Sequence, residues 1–249
     1  MEDTPNRKTS ERPSITAFFP CYNDAGTIAS IVFLTELTLR KLTDDYEIVV
    51  IDDASTDHSL VILRELESRL SRLRIIQHEK NRGSGAALRT GVSHATKELV
   101  FYTDGDFQYD VAELELLLAA LTDNVDVVNG YKISRSDPLR RRILGEVYRH
   151  LTRLLFGLSI RDVDCDFRLL RRKVLDRVHL DRDGGSICVE IIKKIQDAGF
   201  RIIEVPVHHY SRPYGESQFF TAGRVFRVAL DLITLWWRLV VKREHLQHA

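Results

Sequence analysis

Short β-rich runs alternate regularly with longer helical patterns over the first half of this chain, and that alternation constrains its fold most. Ile15–Phe19, Glu47–Ile51, Arg74–Gln77, Leu99–Thr103 and Asp126–Gly130 read as strands. Between them, Thr27–Lys41, Asp57–Leu70, Gly85–Ala95 and Asp110–Leu121 read as helices, the last with leucines at helical spacing. The alternation predicts an α/β fold, a mostly parallel sheet with helices on both faces. Ligands of such sheets sit beyond the carboxyl ends of the strands. The informative loops are therefore those after Phe19, Ile51, Gln77 and Thr103, each rich in Asn, Asp or Gly.

The second half has a different character. Lys132, Arg135, Arg140, Arg141, Arg142, Arg149 and Arg153 crowd one segment. A helix is expected over Ser186–Ala198, a strand over Arg201–Val205, a loop over His208–Gln218 and an apolar helix over Thr221–Val241. The 249 residues suit one α/β domain with a short appendage. The expected division is a polar, disordered lead-in over 1–12, a principal domain over 13–220 with halves 13–131 and 132–220, and an amphipathic helix with its tail over 221–249.

Net charge is zero, so bulk electrostatics predicts no attraction to nucleic acid. Three scattered cysteines (Cys21, Cys165, Cys188) form neither a disulfide framework nor a CxxC site, which favours a reducing cytosol. The N-terminus has no apolar signal-peptide core, and no run reaches the roughly 18 uncharged apolar residues of a spanning helix.

Chemistry concentrates in three loops. Asp104-Gly105-Asp106-Phe107-Gln108 follows directly on an apolar strand. Hard divalent cations such as Mg²⁺ or Mn²⁺ take oxygen ligands and bridge to substrate phosphates, and Asp104, Asp106 and Gln108 could supply them. A solvated Asp-Gly turn has the same local pattern, but the preceding strand and neighbouring loops favour the ion. In Asp52-Asp53-Ala54-Ser55-Thr56-Asp57, a strand-end carboxylate could accept from a ribose hydroxyl or a base N–H, or the polar side chains could cap the next helix. Asp53 is assigned to the nucleotide and Asp57 to capping. Asn81-Arg82-Gly83-Ser84-Gly85 opens a helix, and its amides with Arg82 could face an anion; an ordinary strand-to-helix turn would look the same.

These segments, with Phe19-Pro20-Cys21-Tyr22-Asn23-Asp24, occur in the order of the GT-A domain of family 2 glycosyltransferases. The chain resembles that family over about residues 14–220. Within it, the chain is most similar to the dolichol-phosphate mannose synthase and bacterial polyprenyl-phosphate glycosyltransferase branch. The resemblance implies a nucleotide-sugar donor, with Pro20, Tyr22, Asp24 and Asp53 at the base and ribose. It places Arg82 and Asp104 at the nucleotide end, and a divalent ion on Asp104, Asp106 and Gln108. Arg168 matches the Arg of an Asp-x-x-Ser-Gly-Phe-Arg motif, in which this chain carries Cys165 and Asp166. Arg212, Gly215 and Ser217 match an Arg-x-x-Gly-x-Ser loop over the phosphates. Lys132 stands where a phosphate-contacting Arg is common. With Arg141, Arg142, Arg168 and Ser217 it forms the expected acceptor-phosphate set.

A sugar-hydroxyl acceptor must lose a proton and needs a carboxylate base, whereas a lipid phosphate is already ionised. The cations of 135–153 suit a polyprenyl phosphate, although most could simply line a solvated helix. Asp162, Asp164 and Asp166 could supply a base, with Asp162 as the named candidate, or could pair with Arg161 and Arg168. His208 and His209 are expected to pack, and Glu190 to be paired structurally. In the last helix, Arg224, Arg227, Asp231, Arg238 and Lys242 form one polar stripe on an otherwise apolar surface. It suits a membrane interface with Trp236 and Trp237 at headgroup level, or a homo-oligomer contact, ahead of core packing. The leading expectation is an inverting, metal-dependent transfer from a UDP- or GDP-sugar to a polyprenyl phosphate, peripheral on the cytoplasmic membrane face. The alternatives are a saccharide or other hydroxyl acceptor, and a catalytically silent nucleotide-sugar-binding module.

Overall fold

The computed structural model describes residues 12–135, 139–214 and 222–247, with backbone alone at 134–135, 139–144 and 222–226. The expected lead-in thus lies, apart from Arg12, outside the described residues. Seven strands form one sheet: β1 (Ile15–Cys21), β2 (Tyr46–Asp52), β3 (Leu73–Gln77), β4 (Leu99–Thr103), β5 (Val127–Arg135), β6 (Phe167–Arg171) and β7 (Ile202–His209). Their order is β3-β2-β1-β4-β6-β5-β7. All run parallel except β6, which is antiparallel to both β4 and β5.

The central strands are apolar on both faces because helices cover both. Phe19, Val50, Phe101 and Leu169 face one core with α1 (Ile28–Leu42), α2 (Ser59–Arg69) and α4 (Leu114–Ala120). Phe18, Val49, Val100 and Leu170 face the other with α3 (Ser84–His94), the end of α5 (Leu139–Phe156) and α7 (Ile187–Asp197). Each fully buried Phe or Ile contributes roughly 1.5–3 kcal/mol. A short α6 (Arg172–Leu175) follows β6.

Two elements differ from the sequence expectation. The cationic run contains the 18-residue helix α5, and β6 enters the sheet between β4 and β5. The last helix, α8 (Ala222–Trp236), continues into a π-helical turn at Trp237–Val241. Its Leu235 and Leu239 are buried in the second core. Trp236 packs there too, and its Nε1 donates to Leu155 O at 2.9 Å. Trp236 therefore does not stand at headgroup level; Trp237, half exposed, remains outward. No helix among the described residues is long and apolar enough to cross a membrane.

Candidate active site

The carboxyl ends of β1, β2 and β4 converge on one acidic hollow. Three non-glycine residues with positive φ mark its loops: Asn23 (58°), Ala54 (60°) and Phe107 (63°). Such conformations cost about 1–3 kcal/mol each and persist where the surroundings impose them. Asn23 is held by its own amide, whose Oδ1 accepts from Thr56 N at 2.7 Å and Asp57 N at 3.3 Å. Asp57 supports the same junction, accepting from Ser59 N at 2.9 Å and Ala25 N at 3.1 Å.

The β4 loop enters the hollow against β1. A Cβ on Gly105 would lie 2.2 Å from Pro20 O, so only glycine allows this approach. Asp24, Asp104, Asp106 and Asp166 then share one electrostatic neighbourhood with Lys132 and Arg212. Burial raises the Asp24 carboxyl to about 6; the Tyr22 N–H and Arg212 oppose the rise and Asp106 adds to it. Asp104 is pushed well above the usual carboxylate range by burial first, then by Asp166 and Asp106. Carboxylates outnumber cations here, which is the electrostatics of a cation site.

The ligand chemistry fits a hard divalent ion. Asp106 Oδ1 accepts from Gln108 N at 3.1 Å, and its Oδ2 pairs with Arg212 Nη2 at 2.6 Å. The guanidinium thus occupies a place that a metal ion could take. Gln108 Nε2 donates to Tyr210 O at 2.9 Å, which orients the amide and leaves its carbonyl oxygen as the acceptor end. Among the described residues, no three His, Cys, Asp or Glu side chains form a ready-made metal cage. Two carboxylates and an amide carbonyl make a partial set, of the kind Mg²⁺ or Mn²⁺ completes with water and phosphate oxygens. Nearby, Asp52 Oδ2, Thr103 Oγ1 and Arg212 Nε are buried without a hydrogen-bond partner among the described residues. Buried polar atoms of this kind normally find partners, and a polar ligand would supply them. Tyr22 is exposed at the mouth, with an aromatic face for a base.

Several residues assigned from the sequence have protein partners in the structure. Asp53 is buried, Oδ1 accepts from Arg82 N at 2.9 Å and Oδ2 from Gly83 N at 2.8 Å, and His78 Nδ1 lies 2.7 Å away, so both its oxygens are already engaged. Its neighbour Asp52, the last residue of β2, carries the unpartnered oxygen instead. Arg168 cannot reach an acceptor phosphate. It is fully buried, and its guanidinium donates to Asn129 Oδ1, Tyr102 OH and Val163 O. Asp162, the candidate base, is fully buried; its Oδ2 accepts from Lys132 N at 3.2 Å, and Arg149 stands 3.8 Å away, which is the setting of a structural carboxylate. Lys132 points back into the same loop, donating to Asp164 O at 2.7 Å. Arg82 is exposed. The side chains of Arg141 and Arg142, and Gly215 and Ser217 entirely, lie outside the described residues.

Arg168 was legible as a motif but not as a strut, because Tyr102 and Asn129 belong to two other segments. It ties β4, β5 and the 162–166 loop together. Arg168→Met should destabilise the fold by about 3–5 kcal/mol, since it strands several buried polar groups at once. Urea denaturation would measure this; a change under about 1 kcal/mol would remove the strut role. Glu190 is also a strut, pairing with Lys194 at 2.7 Å and accepting from the Asp181 and Arg182 amides.

The profile of the family described as glycosyl transferase family 2 matches residues 16–178, and the chain belongs to that family. The fold is that of solved glycosyltransferases. Glucosyl-3-phosphoglycerate synthase from Mycobacterium tuberculosis, in complex with Mn²⁺, UDP and glucosyl-3-phosphoglycerate, superposes with a TM-score of 0.70 at 17% identity. That match covers 90% of this chain and 80% of the other. A mannosyltransferase from Pyrobaculum calidifontis, in complex with GDP-Man and Mn²⁺, gives 0.64 at 24% identity, covering 88% of this chain and 61% of its own.

Proposed function

We propose that this enzyme transfers a sugar from a UDP- or GDP-sugar to a polyprenyl phosphate at the cytoplasmic face of a membrane, with Mg²⁺ or Mn²⁺ as cofactor. The observation that carries the acceptor reading is a set of exposed apolar side chains on two adjoining helices. On α5, Val147, Leu151 and Leu154 are exposed, Leu154 by 82%; on α8 and its extension, so are Leu230, Ile233 and Trp237. The Trp236–Leu155 hydrogen bond makes the two helices neighbours. On the other side, α5 meets the acceptor loop, where Arg149 approaches Asp162. Arg227, Arg238 and Lys242 lie on the same element, Arg238 paired with Glu244 at 2.7 Å and Lys242 3.6 Å from that carboxylate, and cations beside apolar side chains are found on helices that lie in an anionic interface.

Asp104, Asp106 and Gln108 would hold the ion, which supplies Lewis-acid stabilisation of the departing diphosphate. Arg212, already against Asp106, would add positive charge as the glycosidic bond breaks. Tyr22, Asp24 and Asp52 would bind the nucleoside, with the Pro20 carbonyl at the floor. A phosphate oxygen attacking the anomeric carbon from the opposite face inverts it without prior loss of a proton. Replacing Leu154 and Ile233 together by Glu should lower binding to anionic vesicles at least about tenfold in a flotation assay. Wild-type protein that stays with the soluble fraction would remove the membrane reading.

A second reading rests on the acceptor loop itself. The Asp164 carboxyl is raised to about 7 by burial, against the pull of Lys132 and with Asp162 and Asp166 adding to the rise. Such a group suits a general base, so a hydroxyl acceptor is the alternative. Glucosyl-3-phosphoglycerate synthase, which also superposes on this chain in complex with Mn²⁺, UDP and phosphoglyceric acid, is the kind of neighbour that keeps this reading in play.

A further inference from the structure

A buried polar array lies beneath the loop that follows β3. His78 N donates to Asp52 O at 2.9 Å, fixing the residue at the end of the sheet. Its ring reaches Asp53 Oδ1 through Nδ1 at 2.7 Å and Thr90 Oγ1, on α3, through Nε2 at 2.9 Å. A neutral imidazole protonated on Nδ1 satisfies both contacts, donating to Asp53 and accepting from the threonine hydroxyl. Asp53 in turn is anchored by its own N–H to Cys21 O at 2.9 Å, and it grips the Arg82 and Gly83 amides. Gly83 needs this hold: its φ is 94°, and a Cβ there would meet Asp183 O at 2.7 Å.

What the loop presents follows from where its amides go. The first helical N–H groups of α3, at Gly85 and Ala86, are taken by Asp183 O at 3.0 and 3.3 Å. They are not left for an anion, and the exposed cations of the loop are Lys80 and Arg82, of which Arg82 is the one whose backbone Asp53 holds. Among the described residues the ring hydrogen-bonds Asp53, just past β2, and Thr90, on α3, and His78 itself is 7% exposed.

We propose that His78 is a positioning residue for nucleotide-sugar binding: through Asp53 it fixes the backbone that carries Arg82 beside the end of β2, next to Asp52. The inference rests on the donor reading above. It separates from a purely structural role by side-chain replacement, because Asn places an N–H donor near the position of Nδ1, whereas Gln places its amide nearer Nε2.

Calorimetric titration of the full chain with UDP and GDP, in Mn²⁺, tests it. His78→Ala should weaken nucleotide binding about tenfold, the scale of one charge-assisted hydrogen bond lost to the loop. Turnover at saturating donor should stay within about threefold of wild type, since no reacting atom is touched. His78→Asn should restore most of the affinity and His78→Gln should not. Unchanged affinity in folded His78→Ala, or equal affinities in the Asn and Gln variants, would overturn the proposal. If His78→Ala fails to fold, the Asn and Gln comparison decides alone. Wild-type protein that binds neither nucleotide would instead defeat the donor reading, and that result appears before any variant is made.

Discussion

Asp106→Ala should cut transfer by roughly 10³-fold or more while shifting unfolding free energy by no more than about 1 kcal/mol. The two effects separate because of where Asp106 sits. Its carboxylate lies beyond the end of β4 and, among the described residues, hydrogen-bonds Gln108 N and Arg212. The Arg212 pair is partly open to solvent, with Arg212 28% exposed, so its loss costs little stability. On the proposed reading the same carboxylate would hold the diphosphate's ion, whose charge stabilisation amounts to several kcal/mol in the transition state. Chelator should reproduce the loss in the wild type, and added Mn²⁺ or Mg²⁺ should reverse it. Full transfer in chelator, with no bound metal detected, would contradict the role.

The second large effect separates the acceptors. With a lipid phosphate, Asp164→Asn and Asp166→Asn should each keep turnover within about tenfold of wild type, because the nucleophile carries no proton to remove. With a hydroxyl acceptor, one of the two should lose about 10²–10⁴-fold, the usual worth of a general base. Asp164 is the stronger candidate for that loss, because its carboxyl is held near neutrality. Asp166 is the carboxylate this chain carries where the resembling motif has Gly. It lies 3.9 Å from Arg168, and Cys188 Sγ stands 3.3 Å from its Oδ1. Donor affinity should be measured beside turnover in both variants, so that a weakened ion site is not mistaken for a missing base.

The strand–helix alternation and the strand-end loops were legible because they depend on local pattern alone. Leu99–Thr103 reads as a strand and is one, and the loops after β1 and β4 bring Asp24, Asp104 and Asp106 into one neighbourhood. The helix α5 entered the reading only as a solvated face for the arginines, although Val147, Leu151 and Leu154 keep helical spacing as well. β6 is only five residues long and follows an acidic loop, so nothing in its own pattern announced an antiparallel insertion. Between Asp52 and Asp53 the sequence offers no choice; alternation along β2 and the pull of the Arg82 and Gly83 amides decide it. Arg168 and Asp162 misled for the same reason. Burial of a charge depends on partners distant in sequence, here Tyr102 and Asn129 for one and Lys132 for the other.

The central claim is a metal-dependent transfer from a nucleotide sugar to a polyprenyl phosphate. Its most direct test is the mass of the product when purified protein, Mn²⁺ and a panel of UDP- and GDP-sugars are incubated with polyprenyl phosphate in anionic vesicles, alongside soluble saccharides and phosphoglyceric acid. The predicted result is one glycosyl unit added to the polyprenyl phosphate, absent in chelator and absent with Asp106→Ala. A glycosylated soluble acceptor with the lipid unchanged would contradict it.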